Sequence, residues 1–273
     1  MKIALAQLTS GIDPAENARV IVDCIAEASA SGAKMLFTPE MSGLIDRDRT
    51  RAAKVLRAED ADGVLAEARA AAAAHRIWVH LGSLAVLGGD GRLANRAFVI
   101  DDTGAIRARY DKLHLFDVDL PTGESWRESA TYAPGEGAVV VQTPAGAVGL
   151  SICYDLRFAD LYRALSNAGA TVLAIPAAFT QPTGAAHWHV LLRARAIEAG
   201  AYVVAAAQTG THEDGRATYG HSLVVDPWGD IVLDMGEATG IGYAEIDPAR
   251  VADVRARIPV LAHRRPIPEV GAA

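Results

Sequence analysis

Short apolar runs that resemble β-strands alternate with longer helical segments along nearly the whole chain. The first run, residues 2–8, is followed by helical apolar spacing from Asn17 to Ser31, and a second run follows from Met35 to Thr38. The alternation continues to a last helix at about Pro248 to Arg257. Some strands are joined by hairpin turns such as Gly88 to Gly91, and others by helices. This pattern predicts an α/β protein with mixed sheets covered by helices.

The chain has no obvious internal boundary. No low-complexity linker or block of like charges divides its 273 residues. We therefore predict one domain over residues 1–273, with a C-terminal tail that begins at about residue 258. The hydrophobic fraction of 51% and the mean hydropathy of +0.15 supply enough apolar material for a sizeable core.

The formal net charge of −7 limits the partners that the chain can bind. A general binder of nucleic acid or of an anionic membrane needs a basic face, so we expect neither partner. A small anionic substrate stays possible because a few arginines can create a locally positive pocket. Two cysteines make no disulfide framework and are typical of the reducing cytoplasm. No apolar run approaches the ~18 residues of a membrane span, and we interpret residues 2–8 as a strand rather than a signal peptide.

Cys153 ends an apolar, strand-like run that begins at Ala147, and polar residues that open a predicted helix follow it. Backbone N–H groups and a helix N-terminus beside a thiol favour a thiolate and the oxyanion that it would create. Cys153 is therefore a candidate nucleophile. Most free cysteines are instead small buried hydrophobes, and Cys24 fits that alternative. Ser151 is a weaker candidate because an esterase elbow has glycine where Cys153 stands.

Glu40 and Lys112 lie at similar positions, each close to the end of a strand-like run. Lys112 is one of four lysines among 26 basic residues. A compact ammonium suits a tetrahedral oxyanion better than a planar guanidinium does. Taken alone, Lys112 could equally be an ordinary exposed lysine, and Glu40 fits an ordinary surface glutamate better than a catalytic one. Together with a thiol, they are the parts of a nucleophilic hydrolase that cuts a carbon–nitrogen bond.

The histidines raise the alternative of a metal centre. His187 and His189 would place two ligands together only on a strand, and the residues that follow them have helical spacing. A metal-dependent amidohydrolase that uses these two histidines is therefore the weaker hypothesis. The sequence contains no phosphate-binding loop, dinucleotide-binding fingerprint or paired C-x-x-C motif.

Three separated motifs resemble those of the nitrilase superfamily of carbon–nitrogen hydrolases. They are Phe37-Thr38-Pro39-Glu40, Tyr110-Asp111-Lys112-Leu113-His114-Leu115 and Gly149-Leu150-Ser151-Ile152-Cys153-Tyr154-Asp155-Leu156-Arg157-Phe158. Residues 183–188, 219–222 and 226–229 extend the resemblance to nearly the whole chain. It implies a four-layer αββα sandwich whose subunits pair into a homodimer or higher homo-oligomer. It also implies that the enzyme needs no metal and no organic cofactor.

The superfamily's Glu-Lys-Cys triad falls on Glu40, Lys112 and Cys153, and its second structural or catalytic glutamate falls on Glu128. The resemblance implies that Cys153 attacks the amide of a small carboxylate substrate and forms a thioester, with release of ammonia and with Glu40 as the base. A non-catalytic binding module on the same fold is the alternative from another class. Such a module would lack a triad member, and none is missing here.

Within the superfamily, residues 153–158, 183–188 and 193–198 resemble the Nit branch of small-acid amidases. True nitrilases usually carry tryptophan and glutamate after the nucleophile, whereas Tyr154 and Asp155 follow Cys153. Residues 205–210 and 219–222 favour the group that acts on deaminated glutathione. The ω-amidases, which act on α-ketoglutaramate, are the close alternative.

Two residues after Cys153 are predicted to contact the substrate. The backbone N–H of Tyr154 would join Lys112 in stabilising the oxyanion. Arg157 lies one helical turn past the nucleophile and could bind a substrate carboxylate through a bidentate fork. The alternative for Arg157 is an internal salt bridge with Asp155 or Asp160.

Two further pocket residues are expected from the next strand. Phe179 and Thr183 follow the strand-like run that ends at Pro176. They are predicted to line the same pocket as Cys153.

Overall fold

The computed structural model describes residues 1–119, 123 and 125–268. Its strands are β1 (Lys2–Gln7), β2 (Met35–Phe37), β3 (Trp78–Leu87), β4 (Leu93–Ile100), β5 (Ile106–Asp111), β6 (Asp117–Asp119), β7 (Ser125–Arg127), β8 (Val140–Thr143), β9 (Gly146–Leu150), β10 (Val172–Ala174), β11 (Tyr202–Ala205), β12 (Thr209–Thr211), β13 (Ala217–Tyr219), β14 (Leu223–Val225), β15 (Ile231–Asp234) and β16 (Gly240–Glu245). Its helices are α1 (Pro14–Ala30), α2 (Arg49–Ala52), α3 (Gly63–His75), α4 (Ala159–Asn167), α5 (Gln181–Ala199) and α6 (Pro248–Arg257).

Two six-stranded mixed sheets form the centre of the fold. The first has the strand order β16-β1-β2-β3-β4-β5, and the second has the order β15-β14-β11-β10-β9-β8. In the first sheet β1, β2 and β3 are parallel, and hairpins add β4 and β5. In the second, β9, β10 and β11 are parallel and the outer strands are antiparallel.

The side chains of β1 show how the layers are stacked. Because successive side chains of a strand point to opposite faces, Ile3 and Leu5 face one way while Ala4 and Ala6 face the other. Ile3 and Leu5 pack in a core cluster with residues of the second sheet and of α4 and α5. Ala4 and Ala6 pack instead with residues of α1 and α3. The order helix, sheet, sheet, helix confirms the predicted αββα sandwich.

Local signals fix where the first helices begin. Pro14 stands at the start of α1, where its missing N–H is no loss, and the Asp13 side chain accepts a hydrogen bond from Ala15 N at 2.9 Å. Asp62 caps α3 in the same way, through Leu65 N at 2.9 Å. Helix α1 therefore begins three residues before Asn17, where its predicted helical spacing starts, a usual uncertainty for predicted helix ends.

The predicted C-terminal tail starts where α6 ends, next to Ile258. Residues 269–273 of that tail lie outside the described residues. The assignment of residues 1–273 to one domain stays a prediction. None of the described helices is long and apolar enough to cross a membrane.

Candidate active site

Cys153 lies three residues beyond the end of β9, in a sharp turn. Its φ angle of 48° lies in the left-handed region, which residues other than glycine seldom adopt. The Cys153 backbone N–H donates to the Pro176 carbonyl at 2.9 Å, which ties the turn to the end of β10. The turn continues as a 3₁₀-helix over Cys153–Arg157, and α4 starts only at Ala159. The helical stretch predicted after Cys153 therefore consists of a 3₁₀-helix followed by an α-helix.

Asp155 holds this turn against the strand that leads to Lys112. The Asp155 side chain is fully buried, and its Oδ2 accepts hydrogen bonds from Ile152 N at 2.9 Å and from the Tyr110 hydroxyl at 2.7 Å. Its Oδ1 accepts from His114 N at 3.0 Å. One carboxylate therefore fixes the nucleophile turn relative to the segment on both sides of Lys112.

Lys112 follows β5 directly and has a buried side chain between two carboxylates. Its Nζ lies 2.9 Å from Glu40 Oε1 and 2.9 Å from Glu128 Oε2. Burial alone would lower the pKa of Lys112, but the negative charges of Glu128 and Glu40 raise that pKa well above its ordinary value. Lys112 is therefore a fixed cation at neutral pH.

Glu40 follows β2 by three residues and is held at both carboxylate oxygens. Its Oε2 accepts from Ala178 N at 2.9 Å, and its Oε1 accepts from Lys112 and from Asn95 Nδ2, the latter at 3.0 Å. Burial would raise the pKa of Glu40, but Lys112 and hydrogen bonds from Cys153, Lys112 and Asn95 together hold that pKa below its usual value. The carboxylate is therefore charged at neutral pH.

Burial and neighbouring charges set the protonation state of the Cys153 thiol. Burial and the adjacent Glu40 charge raise the pKa of Cys153 well above its ordinary value, although Lys112 acts in the other direction. The resting residue is therefore a neutral thiol. The expected mechanism, in which Glu40 takes the proton of the thiol, starts from this neutral state.

Glu128 and Asn95 complete the polar cluster around Lys112. Glu128 lies in a 3₁₀-turn after β7, and its Oε2 accepts from Phe116 N at 2.7 Å. Asn95 Nδ2 donates to Glu128 Oε1 at 3.1 Å as well as to Glu40, so one amide bridges the two carboxylates. The sequence analysis missed Asn95. The available signal was an amide within the otherwise apolar strand β4.

The side chains of Glu40, Lys112, Glu128 and Cys153 open onto one cavity of about 710 Å³. Its lining contains the eight residues predicted from the sequence, namely Glu40, Lys112, Glu128, Cys153, Tyr154, Arg157, Phe179 and Thr183. The backbone N–H of Tyr154 forms no hydrogen bond with another described residue. A buried thiol, a buried carboxylate and a buried ammonium therefore share one cavity, where they could carry out an acyl transfer.

A model of the family "Carbon-nitrogen hydrolase" matches residues 2–256. The chain belongs to this family. The resemblance to the superfamily and the expectation of an enzyme are thereby confirmed, and the protein is a carbon–nitrogen hydrolase of the amidase type.

Several relatives of this carbon–nitrogen hydrolase have been named or solved. The chain is 41% identical to the deaminated glutathione amidase of Bos taurus, over 97% of this chain and 82% of that protein. It is similar to the crystal structure of the Caenorhabditis elegans NitFhit protein, with a TM-score of 0.90 and 40% identity. That match covers 97% of this chain and 65% of the NitFhit chain. An amidase from Nesterenkonia sp. AN1, solved with acrylamide added to its active site cysteine, has a TM-score of 0.78 and 28% identity over 95% of this chain and 98% of its own.

Arg157 of this hydrolase has no internal carboxylate partner among the described residues. Its guanidinium lies over the rings of Tyr154 and Phe179, 6.0 and 5.5 Å from their centroids, and its Nη1 lies 3.2 Å from His187 Nδ1. Asp155 is occupied by the hydrogen bonds described above. The alternative of a salt bridge between Arg157 and Asp155 or Asp160 is therefore wrong.

The two histidines of the metal hypothesis do not come together. His187 contacts Arg157, whereas His189 Nε2 lies 3.0 Å from Asp234 Oδ2. His189, His221 and Asp234 do form a compact group of possible ligands. None of the three lines the cavity that contains Cys153, so this group gives no support to a metal-dependent amidohydrolase.

Proposed function

We propose that this carbon–nitrogen hydrolase cleaves deaminated glutathione through a thioester on Cys153. The single observation that carries the mechanism is that the Cys153 thiol shares one cavity with a charged Glu40, which lies 2.9 Å from the Lys112 ammonium. The substrate is supported by the relatives at about 41% identity that are named deaminated glutathione amidase, from mammals to Synechocystis.

In the first step the neutral Cys153 thiol gives its proton to Glu40 as the sulfur attacks the amide carbonyl. Lys112 Nζ and the free N–H of Tyr154 stabilise the oxyanion of the tetrahedral intermediate. Removal of one such donor typically costs ~10²–10³ in rate. Glu40 then protonates the leaving nitrogen, the carbon–nitrogen bond breaks, and an acyl thioester remains.

In the second step Glu40 takes a proton from water, which attacks the thioester and releases the acid and the thiol. Glu128 acts through Lys112 and Phe116 rather than by touching sulfur. Its charge helps to hold Lys112 protonated, and its Oε1 shares the Asn95 amide with Glu40. We therefore assign Glu128 and Asn95 as positioning residues.

The leaving group depends on the substrate. Deaminated glutathione is a peptide without a primary amide, so its cleavage at the γ-amide releases the amine of cysteinylglycine together with α-ketoglutarate. The sequence-based expectation of ammonia release does not apply to that substrate. The alternative substrate, α-ketoglutaramate, has a primary amide and would release ammonia with the same acid.

We also propose that the enzyme works as a homodimer or a higher homo-oligomer in the cytoplasm and needs no cofactor. Exposed apolar side chains on α5 and the adjacent hairpin support a self-association surface, since Val190, Ile197 and Trp228 are 70%, 49% and 47% exposed. The two cysteines are free, as is usual in a reducing compartment. Light scattering after gel filtration tests the assembly, and a monomer at micromolar concentration would rule it out.

The deciding experiment measures α-ketoglutarate formed from deaminated glutathione and from α-ketoglutaramate, with ammonia measured in parallel. Cys153→Ala is the blank, and Cys24→Ala is the matched cysteine control. Preference for deaminated glutathione without ammonia supports the proposal. Preference for α-ketoglutaramate assigns the ω-amidase activity to the same residues. Wild-type activity in Cys153→Ala would overturn the mechanism.

A further inference from the structure

Three aromatic rings form a row along the cavity, and an arginine lies at each end of the row. The Trp126 and Phe116 ring centroids are 6.2 Å apart, and those of Phe116 and Tyr154 are 5.0 Å apart. The guanidinium of Arg216 lies 4.8 Å from the Trp126 ring, and that of Arg157 lies 6.0 Å from the Tyr154 ring. All five residues line the cavity.

The reacting groups lie beside the middle of this row and toward the Arg157 end. Phe116 N donates to Glu128 Oε2 at 2.7 Å, and Tyr154 directly follows Cys153. Arg157 lies in the same 3₁₀-helix as Cys153 and lines the same cavity, so an acyl group on the Cys153 sulfur could extend toward Arg157 within that cavity. The leaving nitrogen and whatever it carries would extend along the rings toward Arg216.

The Arg216 end holds more positive than negative charge. Arg216 Nη2 and Arg47 Nε share the buried carboxylate of Asp214, at 3.3 and 3.8 Å. Arg49 also lines this end, and the contact that the described residues give its side chain is a long one of 3.4 Å to the Arg127 carbonyl. Three guanidinium groups are therefore balanced by the single carboxylate of Asp214.

The neighbouring carboxylate of Asp46 does not cancel this excess. Asp46 is bound at both oxygens by Arg51, with distances of 2.7 and 2.8 Å, and Arg51 does not line the cavity. The excess is local, because the chain as a whole carries a net charge of −7. A surplus of guanidinium in the wall of a cavity is suited to binding a carboxylate.

We propose that Arg49 and Arg216, with Trp126, form a second carboxylate subsite that binds the leaving-group side of the substrate. This inference rests on the proposed function. The preferred substrates are then N-acyl dipeptides with a carboxylate at each end, one held by Arg157 and the other by the second subsite. Deaminated glutathione has this form, whereas α-ketoglutaramate has the acyl-side carboxylate alone.

The cleaved bond balances with water as the other reactant. Hydrolysis of the N-acyl dipeptide forms one carboxylic acid from the acyl group and one free amine on the dipeptide. The dipeptide keeps its own carboxylate, which stays bound at the second subsite until it leaves. No oxidant, reductant or second substrate is needed.

The test compares Arg49→Gln and Arg216→Gln with the wild type on three substrates: deaminated glutathione, its C-terminal glycinamide analogue, and α-ketoglutaramate. Loss of a charge-assisted hydrogen bond should lower kcat/KM for deaminated glutathione by about 10–100-fold in each variant, chiefly through KM. The same substitutions should have a much smaller effect on the glycinamide analogue, which lacks the terminal carboxylate. Arg157→Gln should reduce kcat/KM for all three.

Arg57→Gln is the matched control, since it removes a nearby exposed arginine that does not line the cavity and that donates to backbone carbonyls rather than to a carboxylate, and it should leave kcat/KM unchanged. Equal losses on the acid and on the glycinamide in the Arg49 and Arg216 variants would overturn the second subsite. Failure of the proposed function is separate, because the wild type would then not turn over deaminated glutathione, whether or not it acts on α-ketoglutaramate. In that event calorimetry measures the Kd of deaminated glutathione for Cys153→Ala, with and without Arg49→Gln. A Kd that Arg49→Gln leaves unchanged, or no binding at all, also overturns the subsite.

Discussion

Substitution of Lys112 by methionine tests both the charge balance of the site and its chemistry. The side chain is fully buried, and its ammonium lies 2.9 Å from a carboxylate oxygen of Glu40 and 2.9 Å from one of Glu128. Without it, two carboxylates that share the Asn95 amide would face each other in a buried cluster. Methionine keeps most of the volume, so the change removes charge rather than packing.

The expected loss of stability follows from the burial of that cluster. Breaking a buried ion pair by removing one partner costs about 3–5 kcal/mol, since an uncompensated charge stays behind. For a chain of this size that cost lowers Tm by roughly 10 °C. Turnover should fall at least ~10²–10³-fold because one oxyanion donor is lost.

A second substitution separates stability from catalysis. In Lys112→Met with Glu128→Gln, one of the two facing charges is removed, so most of the lost Tm should return while turnover stays low. The Tm deficit of Lys112→Met should also shrink between pH 8 and pH 5, because the repulsion raises the pKa of one carboxylate and its protonation then relieves the clash. Differential scanning fluorimetry and α-ketoglutarate release measure the two effects. A Lys112→Met protein that melts within about 2 °C of wild type would refute the buried-charge reasoning.

Three other perturbations probe neighbouring contacts. Asn95→Asp adds a third carboxylate to the cluster, so kcat should fall more than tenfold and its acid limb should move to higher pH, whereas an unchanged pH profile would deny Asn95 a positioning role. Glu40→Gln removes a charge that raises the pKa of the Cys153 thiol, so the pH midpoint of alkylation by iodoacetamide should fall while turnover is lost. A midpoint that stays or rises would contradict a neutral thiol whose pKa is raised by Glu40. Asp155→Asn puts an N–H donor among groups that already donate, which should cost about 1–3 kcal/mol of stability and lower kcat. Urea unfolding and initial rates measure the two effects. A loss of kcat at unchanged stability would contradict the role of Asp155 in joining the nucleophile turn to the Lys112 segment.

Glu40, Lys112 and Cys153 could be predicted because each follows a strand that local patterns reveal. A short apolar run predicts a strand, and in a sheet the residue just past a strand end is free to present its side chain. The strand ends alone do not indicate that these three residues share one site. That prediction came from the resemblance of their motifs to those of the superfamily. The layers could be predicted for a related reason, because strands joined by helices must bury both faces of each sheet.

Asn95 was not predictable from local pattern because its role depends on strand pairing. Its neighbour Arg96 pairs with Asp111 across β4 and β5, which places Asn95 beside Lys112 and brings its amide between Glu40 and Glu128. The protonation state of Cys153 was not predictable from local pattern either, since burial and the charge of Glu40 set it. Both properties arise from residues that are distant in the chain.

The charge of the site explains why its arginines lie apart from the nucleophile. Glu40, Glu128 and Lys112 together carry a net charge of −1, which keeps the Cys153 thiol neutral and would repel an anionic substrate. A cation placed next to the sulfur would attract the substrate but would also lower the thiol pKa and weaken the role of Glu40 as its base. Arg157 and Arg216, at opposite ends of the aromatic row, allow attraction of carboxylates without that effect. The two arginines therefore lie at the ends of the aromatic row, and the reacting charges lie beside it.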